Sequence, residues 1–558
     1  MILSALVDRY EETSDVPRGW QKRDASYALE ISEDGELRAI VSLGESKGNK
    51  PGKLSMKLPT TGKGRSGKKA YETAYFLCDN ADFLLGLDAK KFESAQKLHL
   101  RLLQNCDSIN ARAIKAYFER GVQTPPSGDE IKVDAKFNYV FSFNGRRIDY
   151  DVGDEGIRQV WNSAVQASFD GSDEVRCLVT GKPDAIIKLH NKVSLRSVTM
   201  GGQPLISMND QTSFRSYGAG TNDPPTYIGQ YAAFAYATAL NDLLKNNCEY
   251  MGDDALLYWA EKGGEAEESL FANANAPPKS DETKDLEYIV KRIKEGEKIS
   301  EVNFERKFYL LCLSPNAARI SVRFFYASNF GNIIKSIAAH YDRLAIDDDG
   351  RTPFSLLPAW LILKETTIKG DGKVHPLLRG HLFRSIFTDD KYPDTLYHAI
   401  LARIRAGDDI TKTKAAVVKA VLIKNFEVQE VTKMALNMHT SDKPYVLGRL
   451  FAVLESLQYQ ANKASTIRER FFSSASTSPK LAFPNLLKLS MHHAAKLDSS
   501  VFFEKLKSEI MDKLELEDEP FPTILDLEEQ GKFILGYYHQ RQALFSGKNK
   551  EEAVKDEE

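Results

Sequence analysis

Leu447, Leu450, Leu454, Leu457 and Ala461 recur at alternating three- and four-residue steps. Only an α-helix gathers that spacing on one side, so Pro444–Ala461 is predicted as an amphipathic helix with Arg449, Glu455 and Gln458 on its other faces. A second helix is predicted from about Leu527 to Phe545, with Gly531 and Gly536 in its interior. Each of those glycines costs roughly 1 kcal/mol against alanine, and a helix that keeps them implies another backbone close by. The second helix closes on Tyr537, Tyr538, His539, Gln540 and Arg541, and between the two helices Arg468 and Arg470 precede Phe471 and Phe472. Basic and aromatic residues interleaved on helices hold a nucleic-acid backbone and stack its bases. The same residues equally furnish the amphipathic edges of an ordinary helical bundle, which is the plainer reading of this stretch taken alone.

The 558 residues allow two or more domains with sizeable cores. A formal net charge of −3 excludes a globally basic binding protein, so any nucleic-acid surface is a local patch offset by acidic segments. Cys78, Cys106, Cys177, Cys248 and Cys312 form no CxxC pair. That excludes a zinc ribbon and a disulfide framework, and the expectation is buried free thiols in a reducing cytoplasm. The opening MILSALVDRYEE lacks the basic n-region and apolar core of a signal peptide, and no apolar run is long enough to cross a membrane. The expected location is therefore the cytoplasm.

In chain order, Ile2, Leu3, Leu6, Val7 and Tyr10 predict one face of a short helix, and YALEIS and ELRAIVSL flank a hairpin turn at Glu33-Asp34-Gly35. From Lys47 to Lys69 the chain is rich in Gly and Pro and contains no acid. Its basic residues are Lys47, Lys50, Lys53, Lys57, Lys63, Arg65, Lys68 and Lys69. Such a loop orders poorly alone and is expected to order on a polyanion, because a purely solvating loop would intersperse acids. Gly62 to Lys68 has the GxxxxGK spacing of a phosphate-binding loop, but Lys69 stands where Ser or Thr would hold magnesium. The glycines are better read as letting basic side chains follow a phosphate backbone.

Leu98–Arg120 is predicted helical. KFNYVFSFNGRRIDY predicts a strand with Phe137, Tyr139, Phe141 and Phe143 on one face and a tight turn at Asn144-Gly145. RCLVTGKPDAIIKLH reads as strand, turn and strand. A long polar loop follows, carrying Arg196, Asn209, Gln211, Arg215 and Tyr217 ahead of an Ala/Tyr-rich helix over Ile228–Leu244. Asn and Gln read base edges and Tyr stacks or wedges, while the same residues also serve as caps and turns. DDALLYWAEK is a predicted buried strand, Glu261–Glu305 an acidic segment with a mobile loop, and KFYLLCLSPNAARISVRFFYASNF a hairpin with Arg319 and Arg323 on its return strand. Asp347-Asp348-Asp349-Gly350 lacks EF-hand spacing and marks a linker. Beyond it strand signals nearly vanish, and Arg379, Arg384, Arg403, Arg405, Lys412, Lys414 and Lys419 are expected on exposed helix faces. The fold class is thus α+β multidomain. A mixed α/β N-terminal part (1–346) is followed by a helical connecting region (354–432), a mostly α-helical C-terminal bundle (433–546) and a disordered tail (547–558).

No catalytic constellation emerges. There is no HExxH and no GxSxG, and His492-His493 are adjacent, so on a helix they diverge by about 100° and do not chelate as an i,i+4 pair does. The expectation is a non-catalytic chain with no metal and no cofactor.

Several separated blocks resemble, in the same order, the large subunit of the type I-C CRISPR Cascade complex. They are MILSALVDRY, RSGKKAYETAYFLCDNADFLLG, RCLVTGKPDAIIKLHNKV, PLISMNDQTSFRSYG, AAFAYATALNDLL, ALLYWAE, ARISVRFFYASNFGNIIKSIAAH, YVLGRLFAVLESLQ, RERFFSSASTSP and LEEQGKFILGYYHQRQ. Met208 departs from the family pattern, as does AGTNDPP after Tyr217-Gly218. The resemblance implies a non-catalytic subunit of an RNA-guided surveillance complex that sits by the 5′ handle of the crRNA. Such a subunit recognises the protospacer-adjacent motif (PAM) in target double-stranded DNA, promotes duplex opening and R-loop formation, steadies the displaced single strand, and helps recruit the helicase-nuclease. Base pairing reads most of the target while protein reads only the short duplex motif, and phosphate contacts tip a nearly balanced strand exchange. The implied partners are the backbone filament, the handle-binding subunit and a small subunit, with no membrane. On this resemblance the Lys47–Lys69 basic residues with Arg196, Asn209, Gln211, Arg215 and Tyr217 are candidates for target-duplex contact. Arg319 and Arg323 join the nucleic-acid candidates, and Arg449, Arg468, Arg470, Lys480 and Arg541 are candidates for guiding a single strand. The family also makes its helical C-terminal part separately from an internal start, for which Met434 and Met438 are suitably placed. The alternatives are a general nucleic-acid scaffold outside CRISPR immunity and a P-loop-like nucleotide hydrolase.

Overall fold

The computed structural model describes residues 1–45, 51–61, 65, 70–124, 133–167, 174–187, 190–196, 202–206, 227–275, 302–316, 319–347, 356–368, 374–463, 466–514 and 519–555. Two compact units emerge from contacts within the chain: Met1–Asn246 with Asn316–Ile320, and Asn247–Pro315 with Ser321–Glu558. The division falls a hundred residues before the Asp347–Pro353 linker that the composition suggested.

In the first unit, α1 (Ile2–Thr13) buries Ala5, Leu6, Val7 and Tyr10, and Tyr10 meets Phe234 edge-on at 5.5 Å. β1 (Trp20–Ala25) leads into β2 (Tyr27–Ile31) and β3 (Leu37–Ser42), which form the expected hairpin. Gly35 turns it at φ +82°, and a Cβ there would lie 2.2 Å from the Ala116 backbone. β4 (Leu54–Pro59) pairs antiparallel with β1, so the Gly-rich basic segment is not one continuous loop: a strand interrupts it. β5 (Cys78–Asn80), α2 (Ala81–Leu84), α3 (Ala89–Leu103) and α4 (Ile109–Arg120) follow, with Ser108 capping α4 through the Ala111 N–H, so the single helix expected over Leu98–Arg120 is two. β6 (Asn138–Phe143) runs parallel to β2, and the sheet order is β3-β2-β6-β5, with the short β7 (Arg146–Arg147) on β6. Asn144 and Gly145 both take positive φ in the turn between β6 and β7, as the Asn-Gly pair demands. β6 is buried on both faces, Val140 and Ser142 included, where sequence alternation had assigned one covered face. α5 (Glu155–Ala167), the pair β8 (Glu174–Arg176) and β9 (Pro183–Ala185), the pair β10 (Lys192–Val193) and β11 (Gln203–Pro204), and α6 (Gln230–Asn246) complete the unit.

The second unit opens with a four-stranded sheet of order β12-β13-β14-β15: β12 (Cys248–Met251), the wholly buried β13 (Asp254–Ala260), β14 (Lys307–Asn316) and β15 (Arg319–Asn329). α7 (Glu265–Asn275) lies in the acidic stretch and takes in Ala272–Asn275, the start of the ANANAPPKSDETKD loop expected there. The remaining elements are helices: α8 (Phe330–Leu344), α9 (Ala359–Lys364), α10 (Pro376–Thr388), α11 (Asp394–Arg405), α12 (Lys412–Asn425), α13 (Lys443–Asn462), α14 (Thr466–Thr477), α15 (Pro479–Ala494), α16 (Val501–Met511) and α17 (Leu527–Lys555). One core runs from Leu256 and Phe308 through α8 and α12 to Tyr537 and Tyr538, so residues 354–432 and 433–546 share it with the sheet. α17 carries helical backbone to Lys555, past the point where a disordered tail was expected.

α13 and α17 form the centre of the second unit. A Cβ on Gly448 would lie 2.0 Å from the Phe533 carbonyl oxygen, and one on Gly536 would lie 2.0 Å from the Tyr445 carbonyl oxygen. The two helices therefore touch backbone to backbone at a pair of glycines. Burial follows all round α13: Arg449 is 3% exposed, Glu455 8% and Gln458 5%. The amphipathic reading is corrected accordingly, because α17 covers the face that sequence periodicity left to solvent. The polar residues pair along the seam. Arg449 Nε donates to Gln540 Oε1 at 3.0 Å, Tyr537 donates to Glu455 Oε2 at 2.6 Å, and the Tyr445 hydroxyl meets His539 Nδ1 at 2.9 Å. Lys412, Lys414 and Lys419 of α12 are likewise buried rather than exposed. Lys419 Nζ donates to the Arg343 carbonyl at 3.0 Å, and burial lowers its pKa to about 8.

Candidate nucleic-acid interface

A cleft of about 1670 Å³ opens in the first unit between α1, β1, α3, α5, β10 and α6. Its lining carries the cations Arg18, Lys22, Arg23, Lys53, Arg101, Lys136, Lys192 and Lys245 against the carboxylates Asp24 and Asp242. Lys53, Arg101, Lys136, Lys192 and Lys245 are exposed, and their side chains have no hydrogen-bond or ion-pair partner among the described residues. Lys22 bridges to Asp15 at 3.1 Å, Arg18 donates to Gln230 Oε1 at 2.5 Å, and Arg23 reaches the Cys78 carbonyl at 3.4 Å. Unneutralised cations focused in a concave wall raise the local concentration of a polyanion. His190 adds no charge to this lining: burial lowers its pKa to about 4, and its Nδ1 meets the Tyr236 hydroxyl at 2.7 Å.

Two of the loops singled out in the sequence are rooted on this cleft. Thr60 and Thr61 line it immediately before residue 62, and Pro204 and Ile206 line it immediately before residue 207. Lys47, Lys50, Lys63, Lys68, Lys69, Asn209, Gln211, Arg215 and Tyr217 lie outside the described residues. Of the remaining loop candidates, Lys53 is on the cleft wall and Arg196 is exposed two positions past the cleft residue Ser194. Lys57 is turned inward, between Asp15 at 2.9 Å and Asp151 at 2.9 Å.

Arg65 is an anchor. Its guanidinium pairs with the buried Asp79, donates from Nε to the Thr73 carbonyl at 2.7 Å, and packs 3.8 Å from the Tyr75 ring and 3.7 Å from the Phe83 ring. Burial pushes the Asp79 carboxyl up, and the Arg65 contact opposes that shift. Downstream of the GxxxxGK spacing stand a three-residue 3₁₀ turn (Ala70–Glu72) and then β5. The described residues around it therefore do not form the strand–loop–helix context of a nucleotide-binding P-loop.

The family model for CRISPR-associated protein (Cas_Csd1) matches residues 3–545. The chain belongs to this family. A comparison with curated proteins found no match. Among the described residues of this Cas_Csd1 protein, no group of three or more His, Cys, Asp or Glu is placed to hold a metal ion, and no helix is long and apolar enough to cross a membrane. The five cysteines are free thiols, and Cys248 is only partly buried.

The C-terminal candidates of the Cas_Csd1 chain divide by exposure. Arg449 lies inside the α13–α17 seam, and Arg468 donates to Asp409 Oδ1 at 2.7 Å and to the Asp408 carbonyl at 2.9 Å. Tyr537, Tyr538, His539 and Gln540 are all buried, so the run that suggested base stacking is core. Arg470 is exposed, Lys480 is exposed and bridges to Glu519 at 2.8 Å, and Arg541 lies over the Phe545 ring at 5.6 Å. On the hairpin, Arg319 is exposed, whereas Arg323 donates to Ser314 Oγ at 3.0 Å. Sequence reasoning missed Arg101, Lys136, Lys192 and Lys245. Only one local signal pointed to any of them: Thr238, Asn241, Asp242 and Lys245 fall at i, i+3, i+4 and i+7, a polar stripe on α6 that lines the cleft.

Proposed function

We infer that this protein is the non-catalytic large subunit of a type I-C CRISPR Cascade complex, and that the cleft of its first unit holds target nucleic acid. The observation that carries the reading is the ring of exposed, unpaired cations around that cleft, with the two candidate contact loops rooted on its rim. In this reading the loops read the protospacer-adjacent motif on duplex DNA, and the cleft cations hold phosphates as the duplex opens. Arg470 and Lys480 steady the displaced strand along the helical bundle, and the complex recruits the helicase-nuclease. Family membership and the nearly complete span of the match support it. The exposed Met434 and Met438 precede α13, so an internal start there would yield the α13–α17 bundle as a separate small subunit.

The test is electrophoretic mobility of motif-bearing and motif-scrambled duplexes with the reconstituted crRNA complex, with and without this chain, at two salt concentrations. Motif-dependent binding that requires the chain, and that weakens as salt rises, is the expected result. Equal binding of both duplexes overturns the motif-reading role.

A further inference from the structure

The wall of the cleft contains a stack of flat groups that phosphate binding does not need. Phe83 is buried in the core of the first unit, and the Arg65 guanidinium packs 3.7 Å from its ring centroid. The same guanidinium packs 3.8 Å from the Tyr75 ring, and the Arg23 guanidinium lies 5.4 Å from that ring. Two guanidiniums thus approach the Tyr75 ring, Arg65 closely and Arg23 at a longer distance. The inner end is fixed by the buried Asp79, which pairs with Arg65 and accepts the backbone N–H of Tyr75 at 2.8 Å. The outer end, Tyr75 and Arg23, lines the cleft and is half-buried. Arg65 is largely neutralised by Asp79, so its part in the stack is shape: it holds the Tyr75 ring in one orientation.

We propose that Tyr75 and Arg23 form a stacking platform for a single unpaired base, so that the cleft takes a nucleotide out of its duplex or a single-stranded segment rather than intact double helix. The inference rests on the reading of the cleft as a nucleic-acid site. Bases stack on tyrosine rings and on arginine guanidinium planes, and a base inside a duplex offers neither face. Lys53 and Lys136 lie on the same lining and supply phosphate contacts, so one nucleotide is held by its face while its backbone is held by charge.

The experiment uses the full chain and two short, fluorescein-labelled single-stranded probes: oligodeoxythymidylate, and the same backbone with abasic positions at its centre. Arg23→Lys keeps the charge and removes the flat guanidinium. Tyr75→Leu removes the ring, and Tyr75→Phe keeps it. Lys136→Glu and Lys53→Glu report phosphate contact. The platform predicts that Arg23→Lys and Tyr75→Leu weaken binding of the base-bearing probe about 5- to 150-fold, the range for loss of one stacked base. Binding of the abasic probe stays unchanged, and Tyr75→Phe binds both probes as the parent does. Equal losses on both probes, or no loss on either, overturn the platform while leaving the cleft reading intact if the lysine variants still weaken binding. Unchanged binding in the lysine variants overturns the cleft reading and the platform together. Arg23→Lys keeps the charge and gives up only the long 3.4 Å contact to the Cys78 carbonyl, so a folding defect in Tyr75→Leu does not leave the question open.

Discussion

The cleft of the first unit and the α13–α17 seam of the second are built from the same side chains with opposite outcomes. In the cleft, Lys53, Arg101, Lys136, Lys192 and Lys245 meet solvent without an ion-pair partner among the described residues. In the seam, Arg449 bonds to Gln540, Tyr537 to Glu455 and Tyr445 to His539, and all six are buried. The basic and aromatic run in α17 looked more like a nucleic-acid surface than any part of the cleft did. Chemistry legible along one element says which groups are present, and a second element decides whether they face water. In the seam that decision is made by Gly448 and Gly536, which bring two backbones together and leave no room for a ligand.

The largest expected effect attacks that contact. Gly536→Ala puts a methyl 2.0 Å from the Tyr445 carbonyl oxygen, so the helices must part. Overpacking of this kind costs about 3 kcal/mol, and the loss is expected as faster hydrogen exchange in α13 with exchange in the β2–β6 sheet unchanged. A pH test comes next. Burial holds the His539 pKa at about 4, with the Lys419 charge acting in the same direction. The folded pKa lies below the ordinary value near 6.5, so the unfolded chain takes up the proton first. Stability is complete above pH of about 6.5 and is lost as pH falls toward 4. His539→Gln is expected to flatten the acid side of the stability profile by about 1.4 kcal/mol per pH unit in that window. Denaturant midpoints at several pH values read it, and an unchanged slope would show that His539 is not held neutral. A smaller loss, about 1–3 kcal/mol, is expected for Arg449→Ala, which strands the Gln540 acceptor inside the seam. Its decisive readout is nucleic-acid affinity: the cleft should bind a single strand as tightly as before, and a weakened complex would return Arg449 to the list of contact residues.

The fold was legible where periodicity was long and one face was enough. The β2–β3 hairpin, the buried β13, the β14–β15 hairpin and the helical C-terminal half follow from pattern and turn chemistry. The strand β4 was hidden because its neighbours are glycines and lysines, and only pairing with β1 makes Leu54–Pro59 extended. Arg65 read as one more cation in a basic loop, since nothing local announces that Asp79, fourteen residues on, is its partner. The cleft itself has no sequence signature. Its cations run from Arg18 to Lys245 across separate strands, helices and loops, and only folding gathers them. By contrast the first rim loop stood out because a chain segment with eight basic residues and no acid is unusual at net charge −3, and the second because Arg196, Asn209, Gln211, Arg215 and Tyr217 cluster in one polar stretch.

The smallest effect is also the one that separates the two regions most cleanly. Lys136 is exposed, unpaired among the described residues and on the cleft wall. Lys136→Glu should leave stability within about 0.5 kcal/mol, because a surface side chain without partners contributes little to folding. If it contacts one phosphate, removing it lowers the slope of log affinity against log salt by about 0.9, so a fourfold rise in salt costs the variant roughly 3.5-fold less affinity than it costs the parent. Charge on the same wall is shared among several groups, so the loss at low salt should be modest and should grow when Lys53→Glu is added. A seam residue cannot give this signature: its replacement moves stability and leaves the salt slope alone. A Lys136 variant that kept the parent's slope would mean that the cleft cations act only through their summed field, and the direct phosphate contact would then have to come from the rim loops rooted at Thr61 and Ile206.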